Sequence, residues 1–191
     1  MDNTKYYEKY FALAKDCGHT HYAALDMRTL EFFQEVRDMC NEGQCRGYNT
    51  SWSCPPACPP VEKLREKARS YSGGLLVQTV GELEDSLDWE GIMQIEKNHK
   101  KNFSRLCEEL RNIFTPIMPM GAGTCALCEK CAYPDSPCRF PEKMSPSMEA
   151  CGIFVSKLCK SNGLQYNYGQ NKIAFTSCVL FGSLDIFECF V

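Results

Sequence analysis

Residues 73–80 read GGLLVQTV, and this run decides the fold that the sequence predicts. It is a continuous apolar stretch bounded by glycines, which is typical of a buried strand. The stretch 59–70 before it opens with prolines, which suit the first turn of a helix. The stretch 89–114 after it carries apolar residues at helical spacing, and Pro116 ends that helix. The centre of the chain is therefore predicted to be a buried strand with a helix on each side.

Helices and strands continue to alternate outward from this centre. Thr29 is a suitable N-cap for one helix, and the chain closes on a hairpin that turns at 169–171. Helices are predicted at 4–16, 29–39 and 147–161, and strands at 20–27, 116–123, 164–168 and 172–181. This order predicts one α/β or α+β domain over residues 1–191, a sandwich of helices on one mixed sheet with two cysteine-rich loops.

Cysteine is the unusual part of the composition, with fourteen among 191 residues. Such a count indicates a disulfide scaffold or a metal site. The first residues show no basic segment followed by an apolar one, and no stretch approaches the ~18 apolar residues that span a bilayer, so neither secretion nor membrane insertion is expected. A cytoplasmic location follows, where disulfides are rare and metal is favoured. The net charge of −3 provides no electrostatic case for binding nucleic acid or an anionic membrane.

The downstream cysteine loop, residues 121–142, contains the spacing C-x2-C-x2-C-x6-C. Its cysteines are Cys125, Cys128, Cys131 and Cys138. Three thiolates at two-residue spacing followed by a later cysteine near proline resemble the ferredoxin-type run that holds an iron–sulfur cluster. Zinc is the nearest alternative, although the last two cysteines would form an ill-spaced second knuckle. A disulfide pairing is the least favoured of the three.

The upstream cysteine loop, residues 40–60, has the spacing C-x4-C-x8-C-x3-C. Its cysteines are Cys40, Cys45, Cys54 and Cys58. This spacing matches no standard zinc finger, but four thiolates suit either a cubane cluster or tetrahedral zinc. Flanking prolines stiffen the loop, and Gly43 and Gly47 would let backbone N–H groups approach cluster sulfurs.

Two arginines and three histidines are further candidate participants. Arg46 and Arg139 each lie next to a cysteine of these loops and could offset the negative charge of a cluster, or could be exposed with no such role. His19 and His21 alternate on a predicted strand and are expected to be exposed imidazoles rather than a metal pair. His99 is expected on the solvated face of a charged helix. No nucleotide-binding glycine motif occurs.

Six cysteines lie outside the two loops. Cys151 follows the downstream loop closely and is the best candidate for a spare ligand. The others are predicted to be passive thiols, buried in apolar segments or near the chain ends: Cys17, Cys107, Cys159, Cys178 and Cys189.

Two longer motifs support a family resemblance. The segments YNTSWSCPPACP (48–59) and GAGTCALCEKCAYPDSPCRFPEKMSPSMEACGI (121–153) resemble signatures of a family of cysteine-rich predicted metal-binding proteins of unknown function from anaerobic bacteria and archaea. The resemblance covers about residues 20–182. Where that family commonly has an aromatic residue, this chain has Cys151, which argues against a general ligand role there. The second motif matches at Cys125, Cys128, Cys131, Tyr133, Pro134, Cys138, Arg139, Phe140, Pro141, Glu142, Ser147, Met148 and Glu149.

The resemblance implies metal binding, of the iron–sulfur type, but it supplies no reaction. Together with the two cysteine sets it leads to the expectation of two 4Fe–4S clusters that exchange electrons with a redox partner protein in anaerobic metabolism. Two alternatives stay open. One is an iron–sulfur enzyme that uses a cluster to bind or reduce a small substrate, and the other is a zinc-binding interaction module.

Overall fold

One four-stranded sheet organises the chain. The computed structural model describes residues 3–43 and 45–183, so Cys189 lies outside the described residues. The sheet has the order β1–β2–β4–β3, and each neighbouring pair of these strands is antiparallel, whereas a mixed sheet was predicted. The strands are β1 His21–Ala24, β2 Tyr71–Glu82, β3 Met118–Met120 and β4 Lys172–Ser183.

The helices connect these strands and pack on the sheet. A 3-10 turn at Met27–Thr29 follows β1. Within the described residues, no helix is both long enough and apolar enough to cross a membrane. The α-helices in this part of the chain are α1 Asn3–Asp16, α2 Gln34–Glu42, α3 Val61–Ala68, α4 Trp89–Arg111 and α5 Val155–Ser161.

The central strands β2 and β4 are buried on both faces of the sheet. Successive side chains of a strand point to opposite faces. Leu75 and Val77 of β2 therefore belong to one core cluster, which also contains Phe181 of β4, while Leu76 and Leu180 belong to the other. This two-sided burial explains why residues 73–77 of β2 are apolar without alternation.

Helices cover both faces and give the sheet two hydrophobic cores. Tyr10 of α1 and Leu106 of α4 pack in the first core. Val61 of α3 and Leu158 of α5 pack in the second, together with Met118 of β3. The predicted α+β class, with helices packed on a single sheet, is confirmed.

Several predicted elements are confirmed, while three segments fold differently. The helices predicted at 4–16, 59–70 and 89–114 and the strands predicted at 73–80 and 172–181 are present, with ends shifted by a few residues. The helix predicted from Thr29 begins only at Gln34, because Asp26 accepts a hydrogen bond from the Arg28 amide and caps a separate 3-10 turn. The helix predicted over 147–161 begins only at Val155, after turns that end at Gly152, whose φ is 85°.

The strand predicted at 164–168 is absent, so the closing hairpin was a wrong prediction. Side chains, rather than a backbone ladder, hold this segment to the sheet. Gln78 of β2 donates from Nε2 to the Gln165 carbonyl at 2.9 Å, and the Tyr168 hydroxyl donates to Gln78 Oε1 at 2.6 Å. Gln78 is fully buried, so these bonds satisfy an amide that would otherwise be costly to bury.

Two histidines that were predicted to face solvent are buried between α4 and the sheet. His99 is 0% exposed; its Nδ1 lies 2.9 Å from Thr79 Oγ1 and its Nε2 lies 2.7 Å from Ser177 Oγ. His19 is 3% exposed and precedes β1, with its Nδ1 3.4 Å from the same Thr79 Oγ1. Burial lowers the pKa of His19 to about 4. Burial, followed by the positive charges of His19 and Lys100, lowers the pKa of His99 to about 3.

The lowered pKa values of His19 and His99 predict a loss of stability at mildly acidic pH. Their pKa values are lower in the folded chain than the ordinary value of 6.5. The unfolded chain therefore binds more protons below about pH 6.5, and each histidine lowers the free energy of unfolding by up to ~1.4 kcal/mol per pH unit between that pH and its folded pKa. Chemical denaturation at several pH values measures the slope.

A histidine replacement isolates this contribution from every other acid-sensitive group. His99→Gln is expected to reduce the slope of unfolding free energy against pH, since one titrating ring is lost. Equal slopes in wild type and His99→Gln would contradict the prediction.

Candidate metal centre

The two cysteine loops contact each other directly. Ser53 in the upstream loop accepts a hydrogen bond at its Oγ from the backbone amide of Cys125, at 3.0 Å. Trp52 donates from Nε1 to the Ser136 carbonyl at 3.0 Å. Its ring also packs edge-on against Tyr133, with the centroids 5.0 Å apart. The fold therefore brings together two cysteine sets that lie far apart in the sequence.

Short-range backbone hydrogen bonds shape the upstream loop. The Cys45 amide donates to the Cys40 carbonyl at 3.3 Å, and the Cys58 amide donates to the Cys54 carbonyl at 3.0 Å. Asn49, with a φ of 56°, lies between these turns, and its amide donates across the loop to a proline carbonyl. The loop is thus a series of tight turns that keeps its cysteines close in space.

Gly47 lies close to two of the upstream sulfurs. A Cβ at this position would lie 3.2 Å from Cys54 Sγ and 3.7 Å from Cys45 Sγ. It would also come within 2.7 Å of a Thr124 methyl carbon in the other loop, which is too close for a real contact. Both sulfurs therefore approach the same face of Gly47, where a larger residue would have to displace the Thr124 side chain of the second loop.

The thiols of the upstream loop influence one another electrostatically. Burial raises the pKa of Cys40 to about 11, with further contributions from the negative charges of Cys45, Glu149, Cys54 and Cys58. Ionisation of Cys40 is therefore opposed both by its burial and by repulsion from neighbouring thiolates. A bound cation would remove this penalty, and thiolates are the form in which cysteine binds metal.

Arg37 is the buried cation beside the upstream loop, and sequence reasoning missed it. Its Nη1 donates to the carbonyls of Pro59 at 2.5 Å and Ala150 at 3.2 Å, and its Nη2 donates to the Cys58 carbonyl at 2.9 Å. Only 8% of Arg37 is exposed. Burial raises the pKa of the Cys58 thiol, while the Arg37 charge lowers it. The position of Arg37, three residues before Cys40 on α2, was the available signal, because residues at that spacing share a helix face.

Two arginines were singled out in the sequence because each lies next to a loop cysteine. Both Arg46 and Arg139 are exposed. Arg139 donates from Nη1 to the Lys130 carbonyl at 2.8 Å. This bond joins the neighbours of Cys131 and Cys138 and so helps to close the downstream loop.

The downstream cysteines line a loop with no helix or strand. Cys125, Cys128, Cys131 and Cys138 are all partly exposed. The loop is held by its contacts with the upstream loop, by the Arg139 bond and by a turn in which the Ser136 amide donates to the Ala132 carbonyl at 2.9 Å. The loop is therefore more open to solvent than the upstream one, where Cys54 and Cys58 are buried.

The donor chemistry of both loops fits a thiolate-bound metal. All thirteen cysteines in the described part of the chain are free thiols. Across residues 3–43 and 45–183, no three side chains of histidine, cysteine, aspartate or glutamate converge closely enough to hold a metal ion as they stand. The loops thus gather the correct ligand type into two neighbouring regions, without the closed geometry of a coordination sphere.

The cysteines outside the loops are deeply buried where they are described. Cys107, Cys159 and Cys178 lie in the hydrophobic cores, as predicted, and Cys17 is also buried. Cys151 is 0% exposed, and burial followed by the nearby Cys58 charge raises its pKa well above the ordinary value. Its possible use as a ligand stays a prediction.

Comparison with known proteins places these loops in a family context. No curated protein and no solved structure matches the chain. Residues 23–181 match a family described as predicted metal-binding protein (DUF2284). The match covers most of the chain and includes both cysteine loops and the whole of β2. The chain therefore belongs to this family of predicted metal-binding proteins.

Proposed function

We propose that the protein is a cytoplasmic iron–sulfur protein that holds two 4Fe–4S clusters and exchanges single electrons with a redox partner protein. The observation that carries this proposal is the direct contact between the two four-cysteine loops, made by Ser53 with Cys125 and by Trp52 with Tyr133 and Ser136. Two redox centres in contacting loops suit electron transfer through the protein, whereas two independent structural metals would need no such contact.

The ligand sets favour iron–sulfur over zinc. Each loop supplies four cysteines, and all-thiolate ligation is the rule for cubane clusters. Cys125, Cys128 and Cys131 follow the ferredoxin spacing, while neither loop contains the two short knuckles of a structural zinc site. Bound clusters would supply one-electron chemistry.

The remaining residues of the site would hold and tune the clusters. Cys40, Cys45, Cys54 and Cys58 would hold the upstream cluster, and Cys125, Cys128, Cys131 and Cys138 the downstream one. Arg37 places a positive charge beside the upstream cysteines, and the Trp52–Tyr133 pair lies where the two loops meet. Buried charge and exclusion of water are the main means by which a protein sets cluster potentials.

Metal analysis of protein purified without oxygen tests the ligand assignment. Two 4Fe–4S clusters imply about eight iron and eight acid-labile sulfide per chain, with a brown colour from thiolate-to-iron absorption. Iron, sulfide and zinc are measured on the same sample. Stoichiometric zinc without iron would exclude the proposal and support the zinc-binding interaction module.

Single cysteine replacements separate the two clusters. Cys58→Ala and Cys138→Ala are each expected to lose about half of the bound iron, because each removes one ligand of one cluster only. Cys159→Ala is the matched control for Cys58→Ala, since both cysteines are buried but Cys159 lies in the core outside both loops. Iron per folded chain is the measurement, and loss of iron from the control to the same degree would contradict the assignment.

Arg37 is expected to raise the reduction potential of the upstream cluster. Reduction adds negative charge, which the buried guanidinium stabilises, so Arg37→Gln should shift one potential downward by roughly tens of mV. Arg65→Gln is the control, because Arg65 is a half-buried arginine that also donates to a backbone carbonyl, that of Phe32. EPR-monitored redox titration reports both values. An unchanged or higher potential in Arg37→Gln would contradict the role given to Arg37.

A further inference from the structure

A large groove lies between α4 and the beginning of the downstream loop. Its volume is about 970 Å³. One wall is the face of α4 from Met93 to Arg111, and the other is formed by Pro119 and residues 121–127 with Lys143 and Ser145. Cavities of this size accommodate small organic molecules. Cys125, the first cysteine of the downstream loop, is part of the lining.

The groove is rich in positive charge although the chain is acidic overall. The chain has a net charge of −3, yet the groove has six lysine or arginine residues in its lining and two glutamates, Glu96 and Glu108. The positively charged residues are Lys97, Lys100, Lys101, Arg105, Arg111 and Lys143. An excess of one charge in a cleft raises the local concentration of ligands of the opposite sign.

Both glutamates of the groove are already neutralised by ion pairs. Lys100 Nζ lies 2.6 Å from Glu96 Oε1, and Lys143 Nζ lies 3.2 Å from Glu108 Oε1. Within the described residues, Lys97 and Lys101 form no ion pair of their own. Both are exposed and lie one helical turn apart on α4, so their ammonium groups are available to a ligand.

The Lys100–Glu96 pair also fixes the wall of the groove at Gly123. This glycine has a φ of 64°, and a Cβ on it would lie 3.0 Å from Glu96 Oε1 and 3.3 Å from Lys100 Nζ. The backbone of the loop therefore runs directly over the ion pair. The loop therefore packs closely against α4 at this side of the groove.

The floor of the groove contains apolar side chains from both walls. Phe103, Pro119, Ala122 and Leu127 contribute apolar surface. Beneath them lies Ser177, which is fully buried and whose Oγ is 2.7 Å from His99 Nε2. A ligand here would meet hydrocarbon below and ammonium or guanidinium groups at the rim.

We propose that this groove is a binding site for a small organic anion, a carboxylate or phosphate ester with an apolar body. The anionic group would lie at the rim near Lys97 and Lys101, and the apolar body would cover the floor towards Cys125. The inference uses no metal and does not depend on the proposed clusters. Under the proposed function, it would add a ligand site beside the downstream cysteine set.

Calorimetric titration with probes of matched shape tests the site. The probes are 3-phenylpropionate, phenyl phosphate, 3-phenylpropylammonium and acetate, each added to the full chain with its native metal content. Binding of either aromatic anion at least ~tenfold tighter than the ammonium probe and acetate is expected, because charge and apolar body must both be present. Equal binding of the two phenylpropyl probes, or no binding of either aromatic anion, would overturn the proposal.

Replacing two lysines of α4 with glutamate tests whether the anion binds in this groove. The double variant K97E/K101E is expected to weaken binding of the aromatic anion by ~tenfold or more. The matched control is K63E/K67E on α3, which makes the same changes at the same spacing on a helix that packs against the opposite face of the sheet. Circular dichroism checks that both variants fold. Equal loss of affinity in the two variants would place the binding outside the groove and overturn the assignment.

Discussion

The antiparallel pairing of β2 with β4 is the constraint on which the rest of the structure depends. Both strands are twelve residues long, while β1 and β3 add only four and three residues at the two edges. Because the central pair is buried on both faces, helices must cover both sides, and the connections between strands must cross the ends of the sheet. The upstream loop lies in one such connection, between α2 and α3, and the downstream loop begins directly after β3.

Within that frame, few contacts hold the cysteine loops together. The Ser53 and Trp52 hydrogen bonds each contribute on the order of 1 kcal/mol, which is small beside the entropy of ordering two irregular loops. Metal binding would change this balance, because a site that forms only in the folded chain adds its binding energy to folding. The open arrangement of the thiols and the family's predicted metal binding are therefore consistent: the loops are positioned by the sheet and would be closed by the ligand.

The sequence predicts those parts of the fold in which a local pattern is long. The two central strands and α1, α3 and α4 carried such patterns and are confirmed. The short segments 29–33, 147–154 and 164–168 were mispredicted because caps, a glycine turn and the Gln78 side chain decide them. The sequence also did not predict that His99 is buried, because its hydroxyl partners on β2 and β4 lie far from it along the chain. The cysteine sets were evident from spacing, but their mutual contact and the role of Arg37 depend on tertiary structure.

Positive charge accompanies each cysteine loop in a different form, and the difference bears on function. Arg37 beside the upstream loop is buried, and its guanidinium is committed to three backbone carbonyls. It cannot turn towards a ligand outside the loop, so it acts on charge that the upstream loop itself holds. Lys97 and Lys101 near the downstream loop are exposed, and they border an open groove. An anion that stays bound needs no open groove, whereas an anion that binds and dissociates does. The fixed cation therefore suits retention and tuning of a cofactor in the upstream loop, and the free cations suit a ligand that binds and leaves beside Cys125.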